Sequence, residues 1–123
     1  MSAREFLLIV AAASVFALGD AHAQADPKPK HGGVMSRGDQ DIYAELVAKG
    51  ESVVLYVEAE DKALGGTLRR LARRAPEQQV ALAPAGENTL AGGALTLARG
   101  DQLRAHVRFA SGREQTFAFT WWQ

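Results

Sequence analysis

Hydrophobic and polar residues alternate with a period of two over most of the chain beyond residue 40. Ile42, Ala44 and Leu46 alternate with Tyr43 and Glu45, which predicts a half-buried strand over residues 40–48. Ser52–Ala59 (SVVLYVEA) is dense in β-branched and aromatic side chains and reads as a second strand. Gln78–Ala83 places Val80 and Leu82 on one face. Gln102–Phe109 turns Leu103, Ala105, Val107 and Phe109 inward and Arg104, His106 and Arg108 outward, and Gln115–Trp121 sets Phe117, Phe119 and Trp121 on one face. Lys49-Gly50, Gly65-Gly66, Pro84-Ala85-Gly86, Gly92-Gly93, Arg99-Gly100-Asp101 and Ser111-Gly112 supply turns between the runs. The last two runs should form a C-terminal hairpin through Ala110-Ser111-Gly112. Strands at this spacing predict an all-β fold arranged as a β-sandwich of about seven strands.

One segment resists assignment by pattern. Thr67–Ala75 (TLRRLARRA) spaces Leu68, Leu71 and Ala75 as a helix would, with Thr67 as a cap and Pro76 as a stop. As a strand it would send Leu68 and Leu71 to opposite faces.

The first residues have a different character. Arg4 precedes an apolar run, Phe6–Leu18, which Gly19 and Asp20 break ahead of Ala21-His22-Ala23, an A-x-A cleavage site. Residues 1–23 are therefore expected to be a secretory signal peptide. The apolar run is too short to cross the ~30 Å hydrocarbon core as a helix. Cleavage after Ala23 leaves Gln24–Gln123, 100 of the 123 residues. It removes Arg4, Glu5 and Asp20 and changes the formal charge from zero to +1. The product is expected in the periplasm, without a membrane span. Residues 24–30 (QADPKPK) read as a flexible, polyproline-like lead, and residues 31–123 as one domain.

Composition narrows the chemistry. The absence of cysteine excludes disulfides, thiolate metal sites and a cysteine nucleophile. A near-neutral chain argues against bulk nucleic-acid binding. No G-x-S-x-G, H-E-x-x-H, Walker or dinucleotide pattern occurs, and the expectation is a protein that is not an enzyme, with no catalytic residues and no resident cofactor. Two histidines survive cleavage. His31 and Met35 near the start of the domain, with His106 on a strand's polar face, are the candidate metal ligands. Imidazole with thioether suits copper(I), and imidazole with carboxylate suits copper(II) or zinc. Glu58, Glu60 and Asp61 read as a solvated turn at a strand end. Arg69, Arg70, Arg73 and Arg74 form the densest like-charge block and are candidate contacts for an acidic partner, or else a solvated edge that resists sheet-to-sheet pairing. Of the adjacent Trp121 and Trp122, one should be core and the other exposed, which makes Trp122 a candidate partner contact.

Several short motifs carry a resemblance. Lys30-His31-Gly32-Gly33 (KHGG), Tyr43–Val47 (YAELV), Val54–Val57 (VLYV) and Val80–Leu90 (VALAPAGENTL) together resemble a family of small uncharacterised periplasmic proteins of proteobacteria, often associated with heavy-metal or copper efflux systems. The resemblance spans nearly the whole mature chain, and none of its motifs is catalytic. It implies an immunoglobulin-like sandwich, with Thr67–Ala72 as a strand, and a periplasmic accessory role in metal homeostasis beside an envelope or efflux-system protein. The turn after Val57 (EAEDK) lacks the histidine usual there, which removes one potential ligand. The alternative is an interaction domain that engages an envelope partner without a metal.

Overall fold

The structure, a computed structural model, describes residues 28–40, 42–71 and 76–123. The expected leader, the start of the lead, Arg73 and Arg74 lie outside the described residues. The described chain is all-β, as the alternation predicts. Its strands are β1 (Val34–Arg37), β2 (Tyr43–Lys49), β3 (Ser52–Glu58), β4 (Ala63–Leu71), β5 (Gln78–Gly86), β6 (Thr89–Gly92), β7 (Gln102–Phe109) and β8 (Glu114–Thr120). All pairings are antiparallel, in the order β1-β2-β3-β6-β5-β4-β7-β8. The eight strands make one continuous sheet that nearly closes, with β1 coming alongside β8.

The strand β5 carries the sheet from one half to the other. Gln78–Leu82 pair with β4, whereas Ala83, Pro84 and Gly86 pair with β6. Pro84 and the register shift after it mark where the ladder becomes irregular, as expected of a residue with no N–H to donate. The two halves face each other across one apolar cluster: Leu46, Val53, Leu55 and Leu90 from one side, Leu68, Leu103, Val107, Phe117 and Phe119 from the other. Burying each of these large side chains stabilises the fold by about 1.5–3 kcal/mol. The alternation expected of the C-terminal hairpin holds, with Leu103, Ala105, Val107 and Phe109 buried on β7 and Phe117, Phe119 and Trp121 buried on and just after β8.

Two turn expectations change, and the segment left open by its pattern is strand, as the resemblance implied. Gly65 and Gly66 lie inside β4, not in a turn. A Cβ on Gly66 would sit 1.9 Å from the His106 carbonyl oxygen, so glycine is required here for close approach of two backbones. Thr67–Leu71 is strand, and Leu68 is buried while Leu71 is only half-buried on the other side. Pairing on both flanks, with β5 and with β7, outweighs the helical spacing of its leucines. Finally, Pro84-Ala85-Gly86 is not the turn. β5 runs through Gly86, and Glu87-Asn88 turn the chain, with Asn88 at φ 46°. The short strands β1 and β6 are four residues each, too brief for a period of two to announce them.

Candidate functional site

Strand β2 is buried on both faces from Ala44 to Val47. Ala44 and Leu46 face the core, so Glu45 ought to face water. It does not, because Lys30–Gly33 fold back as a strap over the outer face before the chain enters β1. Glu45 is 4% exposed. Its Oε2 accepts hydrogen bonds from Gly33 N (2.8 Å) and His31 N (2.9 Å). Its Oε1 accepts from Lys30 N (3.0 Å), with His31 N more distant at 3.2 Å. The His31 Nδ1 lies 3.0 Å from the same Oε1. Burial pushes the Glu45 carboxyl up, but the bonds from Gly33, from the His31 ring and backbone, and from Lys30 outweigh it and hold the carboxyl below its ordinary value.

The glycines make this strap feasible. Gly32 adopts φ 74°, and a Cβ on Gly33 would lie 2.2 Å from the Leu46 carbonyl oxygen. The His31 ring stacks on Tyr56, the cross-strand partner of Glu45, with centroids 3.6 Å apart and planes 4° from parallel. Lys30 Nζ lies 2.9 Å from Glu58, whose carboxylate holds the ammonium above its ordinary pKa. The Tyr56 hydroxyl accepts from Lys49 Nζ at 3.0 Å. Gln123 donates its side-chain amide to the Gly32 carbonyl, which brings the C-terminal tail against the strap.

This geometry fixes the chemistry of His31. An ionised carboxylate only accepts, so Nδ1 is the donor, and in the neutral imidazole Nε2 then carries the lone pair, on a side chain 41% exposed. An imidazole oriented by a carboxylate in this way has the usual arrangement of a metal-binding histidine. Met35 is the cross-strand partner of Glu45 on the opposite flank and shares its face. The structure therefore brings His31 and Met35 to one face. His106 lies elsewhere, on the outer face of β7, with Nδ1 3.0 Å from the Thr116 hydroxyl and Nε2 against Glu114. Among the described residues no group of three or more His, Asp or Glu side chains is arranged around a common cation position.

Thr116, His106 and Glu114 form a hydroxyl–imidazole–carboxylate row, which invites comparison with a nucleophile and its base. The row lies on an open sheet face where the β7–β8 ladder engages the neighbouring backbone groups. Glu58 and Asp61 at the far end of β3 are occupied as well: Glu58 by Lys30, and Asp61 by the Ser111 backbone and hydroxyl. They line an open cavity of about 720 Å³ with Glu60 and Arg113.

The arginine block divides. Arg69 faces outward, whereas Arg70 turns under the 93–101 loop, where it donates to the Thr96 carbonyl and lies 3.9 Å from Asp101. Adjacent residues of a strand point to opposite faces, so the two do not share a surface. Trp122 is 62% exposed while Trp121 is buried.

Glu45, Tyr56 and Asn88 are important residues that the pattern did not single out. Asn88 accepts from Ala63 N (2.9 Å) and donates to the carbonyls of Ala59 (2.8 Å) and Asp61 (3.3 Å), tying the β5–β6 turn to the β3–β4 connection. The only sequence signal for Glu45 was the pair of glycines after His31. An all-β domain of one nearly closed sheet, with a histidine strap locked on a buried carboxylate, is the class these features define. No protein family, curated protein or solved structure was found to match the chain.

Proposed function

We propose that the protein is an exported, non-enzymatic binding module of metal homeostasis, working through the outer face of β1, β2 and β3. The observation that carries the reading is the His31 imidazole, held by buried Glu45 through Nδ1 and presenting Nε2 outward. Met35 on the same face adds a thioether, and one nitrogen with one sulfur suits copper(I) better than zinc. The role is accessory: the site would take up or hand on an ion beside an envelope or efflux-system protein. Titration of the mature protein with copper(I), copper(II) and zinc tests this. Copper(I) should bind with a Kd below about 1 mM. His31→Ala should weaken it at least about tenfold, and Met35→Ala should weaken it too, whereas His106→Ala should leave it unchanged. Binding weaker than this limit, or indifferent to His31→Ala, refutes the metal role.

The second reading is an interaction domain without a metal. It is favoured by the exposure of Trp122 beside the strap, since a large indole left in water is a common mark of a partner surface. Under this reading Trp122→Ala abolishes cross-linking to an envelope protein while metal titrations stay blank.

A further inference from the structure

We propose that the outer face of β4, β7 and β8 is a binding groove for a phosphoryl oxyanion on a soluble ligand, gripped by Arg69 and Arg104. Antiparallel register places Thr67, His106 and Thr116 in one cross-strand row and Gln79, Arg69, Arg104 and Ala118 in the next. All of these except Ala118 line a groove of about 390 Å³. Ala118 ends one row and Ala81, the β5 partner of Thr67, ends the other, so small side chains leave the flanks open.

Arg69 and Arg104 stand directly opposite each other across β4 and β7. Like charges in that relation destabilise a strand pair unless an anion lies between them. No carboxylate lines the groove among the described residues. Arg69 Nε lies 3.6 Å from Glu77, with both side chains about half exposed, and Arg104 donates to the carbonyl of its own neighbour Leu103 at 3.1 Å. Both guanidiniums keep further donors for a ligand. Arg108 and Glu114 face each other one row beyond, and Glu114 also holds His106, so their charges roughly cancel and the groove stays positive.

The number of donors selects the anion. Two opposed guanidiniums, the Thr67 hydroxyl and the Gln79 amide offer more hydrogen bonds than the two oxygens of a carboxylate accept in one direction. The three terminal oxygens of a phosphoryl group match them, and guanidiniums bind such oxygens in bidentate pairs. His106, fixed at both ring nitrogens by Thr116 and Glu114, forms a rigid wall of the groove. This site lies on a different face from the His31 strap and stands or falls independently of it.

The test is a backbone-amide NMR titration of the mature protein with pyrophosphate in chloride buffer. Saturable shifts are expected at Thr67, Arg69, Arg104 and His106, with an apparent Kd below about 1 mM. Arg104→Gln and, separately, Arg69→Gln should weaken binding about tenfold or more with the rest of the spectrum preserved. Arg99→Gln removes the same charge from an exposed loop and should have no such effect. Raising sodium chloride should weaken binding, and acetate should bind far less tightly than pyrophosphate. Linear, unsaturated shifts overturn the proposal. So does equal binding by wild type and both groove variants, acetate binding as tight as pyrophosphate, or association with phosphatidylglycerol vesicles in place of pyrophosphate.

Discussion

Replacing Glu45 by glutamine tests the strap most directly, because shape is kept while one acceptor oxygen becomes a donor. Oε1 and Oε2 together receive four N–H groups: those of Lys30, His31 and Gly33 and the His31 ring. In either orientation the new amide NH2 faces two of these donors. Hydrogen bonds to a charged group contribute about 1.5–3 kcal/mol each, and donors left unpaired at a buried site add to the loss. Some donors regain water as the strap lifts, so Glu45→Gln should destabilise the domain by about 3 kcal/mol. For a domain near 100 residues that is a fall in Tm on the order of 12–20 °C. Thermal melts by circular dichroism measure it, and faster amide exchange confined to Lys30–Gly33 and β1 locates it.

The same variant gives a pH signature. The native carboxyl titrates below its unfolded value of about 4.3, so its stabilisation is fully present above about pH 5. It is lost as pH falls through the lowered native pKa, because a protonated Glu45 resembles glutamine. The stability gap between wild type and Glu45→Gln should therefore be widest near neutrality and shrink in acid. A destabilisation under about 0.5 kcal/mol, or a gap that stays constant from about pH 7 to pH 3, would refute the reasoning.

Asn88→Ala should cost about 2–3 kcal/mol in urea unfolding, since three side-chain bonds are lost and alanine disfavours φ 46°. Asn88→Gly should do less harm by about 1 kcal/mol, and equal losses would show that backbone conformation contributes nothing there. Gly66→Ala should prevent β4 from pairing with β7, giving a loss above about 4 kcal/mol or no folded protein, because the added Cβ meets the His106 carbonyl. Gly93→Ala, with open space around it, should stay within about 0.5 kcal/mol of wild type, and similar behaviour of the two variants would overturn the close-approach argument.

How much of this was legible in the sequence depends on the range of the interaction involved. The alternation in Gln102–Phe109 and Phe117–Trp121 was enough to assign inward and outward faces, because one buried face imposes period two on consecutive residues. It also distinguished Trp121 from Trp122, and it placed His106 among polar residues. The Thr67–Leu71 strand was not legible from its own leucine spacing, since its conformation is set by β5 and β7 on either side. The role of Gly66 was equally hidden: a glycine that lets two backbones approach looks, in sequence, like a glycine that turns the chain.

The sequence by itself determined an all-β chain, its inward-facing core residues, the absence of cysteine chemistry and a small set of polar candidates. Tertiary structure decided which of those candidates meet. His31 reaches Glu45 across fourteen positions because the strap folds back over β2, and Met35 shares that face because β1 pairs beside β2. His106 was separated from them by its place in the other half of the sheet, where it joins Thr67, Arg69 and Arg104 across strand partners distant in sequence. The burial of Glu45 shows the reason most plainly. Alternation assigns a residue to a face of its strand, but only the path of a distant segment determines whether that face meets water.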